Sequence, residues 1–147
     1  MTSTSPVKPP TTYRVAATAR AAGPAEVQAG AHRIPLDAGW ATPPTGDPGP
    51  AELLAGAFAA CLIKNVARAG HLLHFDYQDA AVTVVARRQD SPPRFVEITY
   101  DLQLTTDEPE RRVELLHQNL RRYGTVYNTL AAVCDVHGTV TARAPRS

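Results

Sequence analysis

The chain has 147 residues, with 15 Lys and Arg against 14 Asp and Glu, so its formal charge is +1. Near-neutrality excludes a dedicated nucleic-acid binder, which carries a basic face. A 44% hydrophobic and 20% charged composition excludes a disordered chain. Residues 1–12 are polar and proline-containing, with no apolar export signal, and are expected to form a flexible tail before a single domain over residues 13–147. Two cysteines without an export signal fit the reducing cytoplasm.

Tyr13–Arg20 and Glu26–Leu36 read as short strands, followed by a Pro- and Gly-rich loop over Ala38–Gly49 with Trp40 in it. Pro50 opens the clearest helix, Ala51–Ala69, with Gly70 as the expected residue just past its end. Its middle is apolar on every side (Leu53, Leu54, Ala57, Phe58, Cys61, Leu62 and Ile63), which predicts burial all round by other elements or another chain. The apolar run Leu53–Ile63 stops at Lys64, too short to span a bilayer. Two strands follow, Ala80–Arg88 and Arg94–Thr105. The second alternates, with Val96, Ile98, Tyr100, Leu102 and Leu104 on one face. Asp107–Tyr123 reads as a helix capped by Thr106, with Val113, Leu116, Leu120 and Tyr123 as its apolar stripe. A helical turn near Tyr127–Ala132 leads to a last strand, Val133–Ala142. The order β-β-α-β-β-α-β predicts an α+β domain with an antiparallel sheet.

Cys61 is the first candidate for chemistry. A buried cysteine is most often a small hydrophobe; a reactive one needs a nearby cation or helix N-terminus. Glu52 suits the first turn of a helix on electrostatic grounds alone. It lies nine residues before Cys61, on the opposite side of the helix, so the two meet only through a bend or a partner chain. The histidines form no convincing metal site: His71 and His74 sit at a helix end, and Cys134 and His137 have an odd offset along a strand. No phosphate loop, nucleophile elbow or dinucleotide fingerprint is present, so no cofactor is expected.

The stretch Gly49-Pro-Ala-Glu-Leu-Leu-Ala-Gly-Ala-Phe-Ala-Ala-Cys61 resembles the OsmC/Ohr family, whose signature is a P-x-E-L-L helix start and an alanine-rich run into a cysteine. The resemblance extends over most of the chain, including Gly30–Asp37 and the later strand pair and helix. It implies an intertwined homodimer, with an antiparallel sheet wrapped on a long buried central helix. It also implies thiol-dependent reduction of organic hydroperoxides, a cytoplasmic defence against oxidative stress. By resemblance Cys61 matches the peroxidatic cysteine, Glu52 the OsmC-type acid, and Arg20 or else Arg33 the arginine that holds the thiolate.

The family's second motif, C-P-V-S-x-x-L, aligns with Gly124-Thr125-Val126-Tyr127-Asn128-Thr129-Leu130, so glycine replaces the resolving cysteine and tyrosine the serine. Turnover would then depend on Cys134 or on an external thiol reductant. The alternative is a non-peroxidatic OsmC-like protein that binds an apolar small molecule at the dimer interface. Neither reading involves a nucleic acid or a membrane.

Overall fold

A computed structural model describes residue 8 and residues 10–146. Most of the expected tail, residues 1–12, lies outside the described residues. The chain divides into two compact units, residues 1–50 and 51–147.

The first unit is a three-stranded antiparallel sheet of β1 (Val15–Ala19), β2 (Ala25–Ala29) and β3 (His32–Leu36), in the order β1-β2-β3. The single strand expected over Glu26–Leu36 is therefore two. Gly30, at φ 58°, makes the turn, with Ala29 opposite His32 across a two-residue loop. A glycine first in such a loop takes the positive φ that matches strand twist. Register places Ala17, Val27 and Ile34 in one row and Ala19, Ala25 and Leu36 in the next, giving the sheet one apolar face. Beyond β3, the Asp37 N–H donates to the Pro48 carbonyl (3.0 Å) and closes the proline-rich loop.

The second unit holds α1 (Pro50–Leu72), β4 (Asp79–Asp90), β5 (Pro93–Thr105), α2 (Glu110–Tyr123), α3 (Thr125–Ala131) and β6 (Asp135–Arg143). Its sheet, β4-β5-β6, is mixed. β4 runs antiparallel to β5 and β6 parallel to it, which corrects the all-antiparallel expectation. The parallel pairing follows from α2 and α3 carrying the chain back to the starting edge before β6.

Alternation on β5 is as expected from Ile98 to Leu104, all four apolar positions being buried. Val96 drops out because it is the extra residue of a bulge in β5: Arg87 pairs with Glu97 and Arg88 with Phe95, which leaves Val96 unpaired. Helix α2 buries Val113, Leu116, His117 and Leu120. Tyr123 is instead exposed, with the Arg68 guanidinium 4.7 Å above its ring. The helix also starts later than expected, after Pro109. Thr106 is not its cap, since its hydroxyl donates to the Asp76 carbonyl (2.6 Å) and accepts from the Glu108 N–H (3.0 Å).

Helix α1 runs through Gly70 rather than stopping before it. The glycine serves close packing, because a β-carbon there would lie 3.1 Å from the Tyr77 ring and 3.3 Å from the Phe75 carbonyl. At 23 residues, with mean hydropathy 1.3 over an 18-residue window, α1 is long and apolar enough to cross a membrane by length and composition. The uninterrupted apolar run is still only Leu53–Ile63; the helix gains its length by continuing past Lys64. Within this chain α1 buries one stripe, Phe58, Leu62, Val66 and Ala69, in the same core as β5 and α2. Ala57, Ala60 and Ile63 stay exposed, so the all-round burial expected of the helix is not met within one chain. The spacing explains this: i, i+4, i+8 and i+11 follow one face of a helix.

Candidate active site

Cys61 sits half-buried at the middle of α1, one turn beyond Phe58. The Asn65 side chain, one turn further, donates to the Cys61 carbonyl at 2.8 Å, and its Nδ2 lies 3.5 Å from the thiol Sγ. Across from the thiol lies Gly124, the buried residue between α2 and α3. A β-carbon on Gly124 would come 3.2 Å from Cys61 Sγ, 2.9 Å from Tyr127 Cβ and 3.2 Å from the Leu120 carbonyl. Helix α1 approaches the α2–α3 junction this closely because residue 124 has no side chain. The two positions that the sequence motifs single out, 61 and 124, are thus in contact.

Beside them is a buried aromatic group. Phe58 packs with Tyr100 and Tyr127 at centroid distances of 5.8 and 5.6 Å, and Tyr100 meets His117 edge-on at 5.7 Å. The hydroxyls run in a chain: Tyr127 Oη lies 3.4 Å from Tyr100 Oη, which lies 2.7 Å from His117 Nε2. Burial, reinforced by Tyr127, raises the Tyr100 pKa and keeps its hydroxyl protonated. Burial and the Arg121 charge lower the His117 pKa, which Glu114 partly opposes, so the imidazole is held neutral. With a protonated phenol beside a neutral imidazole, the His117 tautomer sets which of the two donates: Tyr100 to a bare Nε2, or an Nε2–H to Tyr100 Oη. Sequence reading missed Asn65 and His117. Their signal was the helical interval alone: Asn65 is i+4 from Cys61, and His117 is i+4 from Val113.

Glu52 is exposed in the first turn of α1. Arg20 and Arg33 belong to the first unit: Arg20 is exposed in the turn after β1, and Arg33 is on β3, 3.8 Å from Glu26. Cys134 precedes β6, with its thiol donating to the Leu130 carbonyl at 3.2 Å. Burial, then Asp135, pushes that thiol's pKa up. Among the described residues one trio of ligand-type side chains converges, Glu97, Asp135 and His137, with ligand atoms within 4.8 Å of one another. His137 Nε2 lies 3.1 Å from Glu97, whose other oxygen accepts from Arg87 at 3.3 Å, so its carboxylate already has a cationic partner.

The family profile described as "OsmC-like protein" matches residues 43–137, well over half of the chain. The chain belongs to the OsmC-like family. Glu52, Cys61, Gly124 and Cys134 fall within the OsmC-like match, whereas Arg20 and Arg33 lie outside it. No curated protein matches the chain. Among solved structures, an OsmC-like protein from Mycoplasma pneumoniae superposes with a TM-score of 0.79 at 17% identity, covering 89% of this chain and 96% of that one. An organic hydroperoxide resistance protein OsmC from Legionella pneumophila gives 0.66 at 18% identity, with 92% and 98% coverage. The organic hydroperoxide resistance protein OhrB of Bacillus subtilis gives 0.63 at 15%, with 88% and 97%. At these identities the likeness is one of fold, and the OsmC-like α+β fold is common to all of them.

Proposed function

We propose that this protein reduces organic hydroperoxides, with Cys61 as the attacking thiol. The observation that carries the reading is the contact between Cys61 and position 124, which brings together the family's two thiol motifs. Fold neighbours described as organic hydroperoxide resistance proteins support it. In the reaction the Cys61 thiolate attacks the peroxide's terminal oxygen and the O–O bond breaks. The alcohol departs with a proton, leaving Cys61 as a sulfenic acid. Arg20 or Arg33 is proposed to hold the thiolate, with Glu52 orienting the arginine, as family resemblance implies. The working unit is proposed to be a cytoplasmic homodimer that covers the exposed Ala57, Ala60 and Ile63 face of α1.

The test is reaction of the full chain with tert-butyl and cumene hydroperoxide, following free thiol and intact mass. The expected result is selective loss of the Cys61 thiol, abolished by Cys61→Ser, faster than that of free cysteine. A rate equal to free cysteine's would reject the reading. It would leave the apolar-ligand alternative, which draws on the ring cluster of Phe58, Tyr100 and Tyr127 next to Cys61.

A further inference from the structure

We infer that oxidised Cys61 is resolved by a low-molecular-weight thiol from outside the chain, and not by Cys134. This rests on the peroxide chemistry proposed above and names its reductant.

The first ground is the crowding at position 124. The Cys61 thiol faces Gly124 at the α2–α3 junction, and a β-carbon there would press on Sγ, Tyr127 and Leu120 together. No side chain, and hence no resolving thiol, fits at 124 with α1 packed this closely. The second ground is the place of Cys134. Gly124 immediately precedes α3 and Cys134 follows its last residue, Ala131, by three positions, so the two thiols sit toward opposite ends of that helix. Seven helical residues rise roughly 10 Å, so Gly124, which Cys61 meets, and Cys134 are held apart by the length of α3.

Bringing Cys134 to the Gly124 end of α3 would disturb Tyr127 and Leu130, both buried in the core. Cys134 is also poorly suited as an attacking group. Its thiol is bonded to the Leu130 carbonyl, and its burial disfavours the thiolate that exchange requires. A half-buried cysteine in mid-helix favours a slender reductant over the face of a folded protein.

The steps balance with that co-reactant. The sulfenic acid and one R′SH form Cys61–S–S–R′ as the S–O bond breaks and the oxygen leaves as water. A second R′SH attacks the mixed disulfide, releases R′S–SR′ and restores the Cys61 thiol. Net, one hydroperoxide and two thiols give one alcohol, one small disulfide and one water.

The experiment treats the full chain with a stoichiometric amount of cumene hydroperoxide, with and without excess glutathione. Non-reducing peptide mapping then follows, with dimedone to trap sulfenic acid. Without glutathione the expected product is a dimedone adduct on Cys61, passing to sulfinic acid under excess peroxide. With glutathione it is a Cys61–glutathione disulfide and sustained turnover, unchanged within about twofold in Cys134→Ser. A Cys61–Cys134 disulfide, within one chain or between two copies, would overturn the inference. So would turnover supported by a protein disulfide reductase and not by glutathione. Absence of any dimedone adduct would instead remove the peroxidase reading on which it stands.

Discussion

Replacing Tyr100 by phenylalanine removes one oxygen atom from the buried group next to Cys61, and its cost follows from what that oxygen serves. It shares a 2.7 Å hydrogen bond with His117 Nε2, and His117 is only 8% exposed, so water cannot easily take over. Losing a hydrogen bond costs about 0.5–1.5 kcal/mol net, and stranding a buried polar group raises this to about 1–3 kcal/mol. We expect Tyr100→Phe to destabilise by about 2 kcal/mol, a fall in Tm of roughly 6 °C for a chain of this length. His117→Leu should cost less, because the Tyr100 hydroxyl keeps Tyr127 Oη at 3.4 Å. In the double variant no ring nitrogen is stranded, so its cost should fall short of the sum of the singles by about 1 kcal/mol. Thermal denaturation at fixed protein concentration, together with urea melts, reads all three values. A Tyr100→Phe Tm within about 1 °C of the parent, or strict additivity in the cycle, would refute the reasoning.

Three further outcomes follow from the same packing. Because His117 is held neutral, its native pKa lies below the ordinary 6.5 while the unfolded chain protonates near 6.5. Its contribution to stability should be complete above that value and decline as pH falls toward the lowered native one; His117→Asn should flatten this part of a pH–stability curve, and an unchanged slope would count against it. Gly138→Ala should cost about 2 kcal/mol or more by chemical denaturation, since a β-carbon there would run into the carbonyl and ring of Tyr100, its register partner across β5–β6. Arg112→Ala should cost about 1–3 kcal/mol in the same assay, because Arg112 donates to the Leu73 and His74 carbonyls at 2.7 and 3.0 Å just beyond α1 and pairs with Glu108; Arg112→Lys should recover only part of it.

What the sequence made legible depended on how local the signal was. The strict alternation of Ile98 to Leu104 is written in adjacent residues, and β5 and its buried face came through intact. So did Pro50 as the start of α1. Gly30 was misread inside a strand pattern, although its positive φ makes the turn between β2 and β3. Gly70 was taken as a terminator, yet its reason for being glycine is Tyr77, seven positions on and across a turn of chain. Val96 kept the right parity but is itself the extra residue of a bulge in β5, which no local pattern reports.

At the site, Cys61 and position 124 were found by motif, and their contact is a matter of tertiary packing. Asn65 and His117 drew no attention because a single polar residue at helical spacing carries no mark of its partner. The parallel course of β6 was hidden for the same reason. Strand direction is decided by the path of α2 and α3, not by the composition of the strand.

That path also sets an order on synthesis. β5 is the middle strand of its sheet, flanked by β4 and β6, and 29 residues separate the end of β5 from the start of β6. While a nascent chain emerges, β5 can pair with β4 at once but must wait for α2 and α3 before its other edge is covered. Until then Ile98, Tyr100, Leu102 and Leu104 lie on a two-stranded ribbon with one open, β-rich edge, the kind of surface that pairs with other chains. A ribosome that stalls or terminates early between residues 106 and 134 would therefore release an aggregation-prone product. Demand on holding chaperones should be greatest over that stretch of translation.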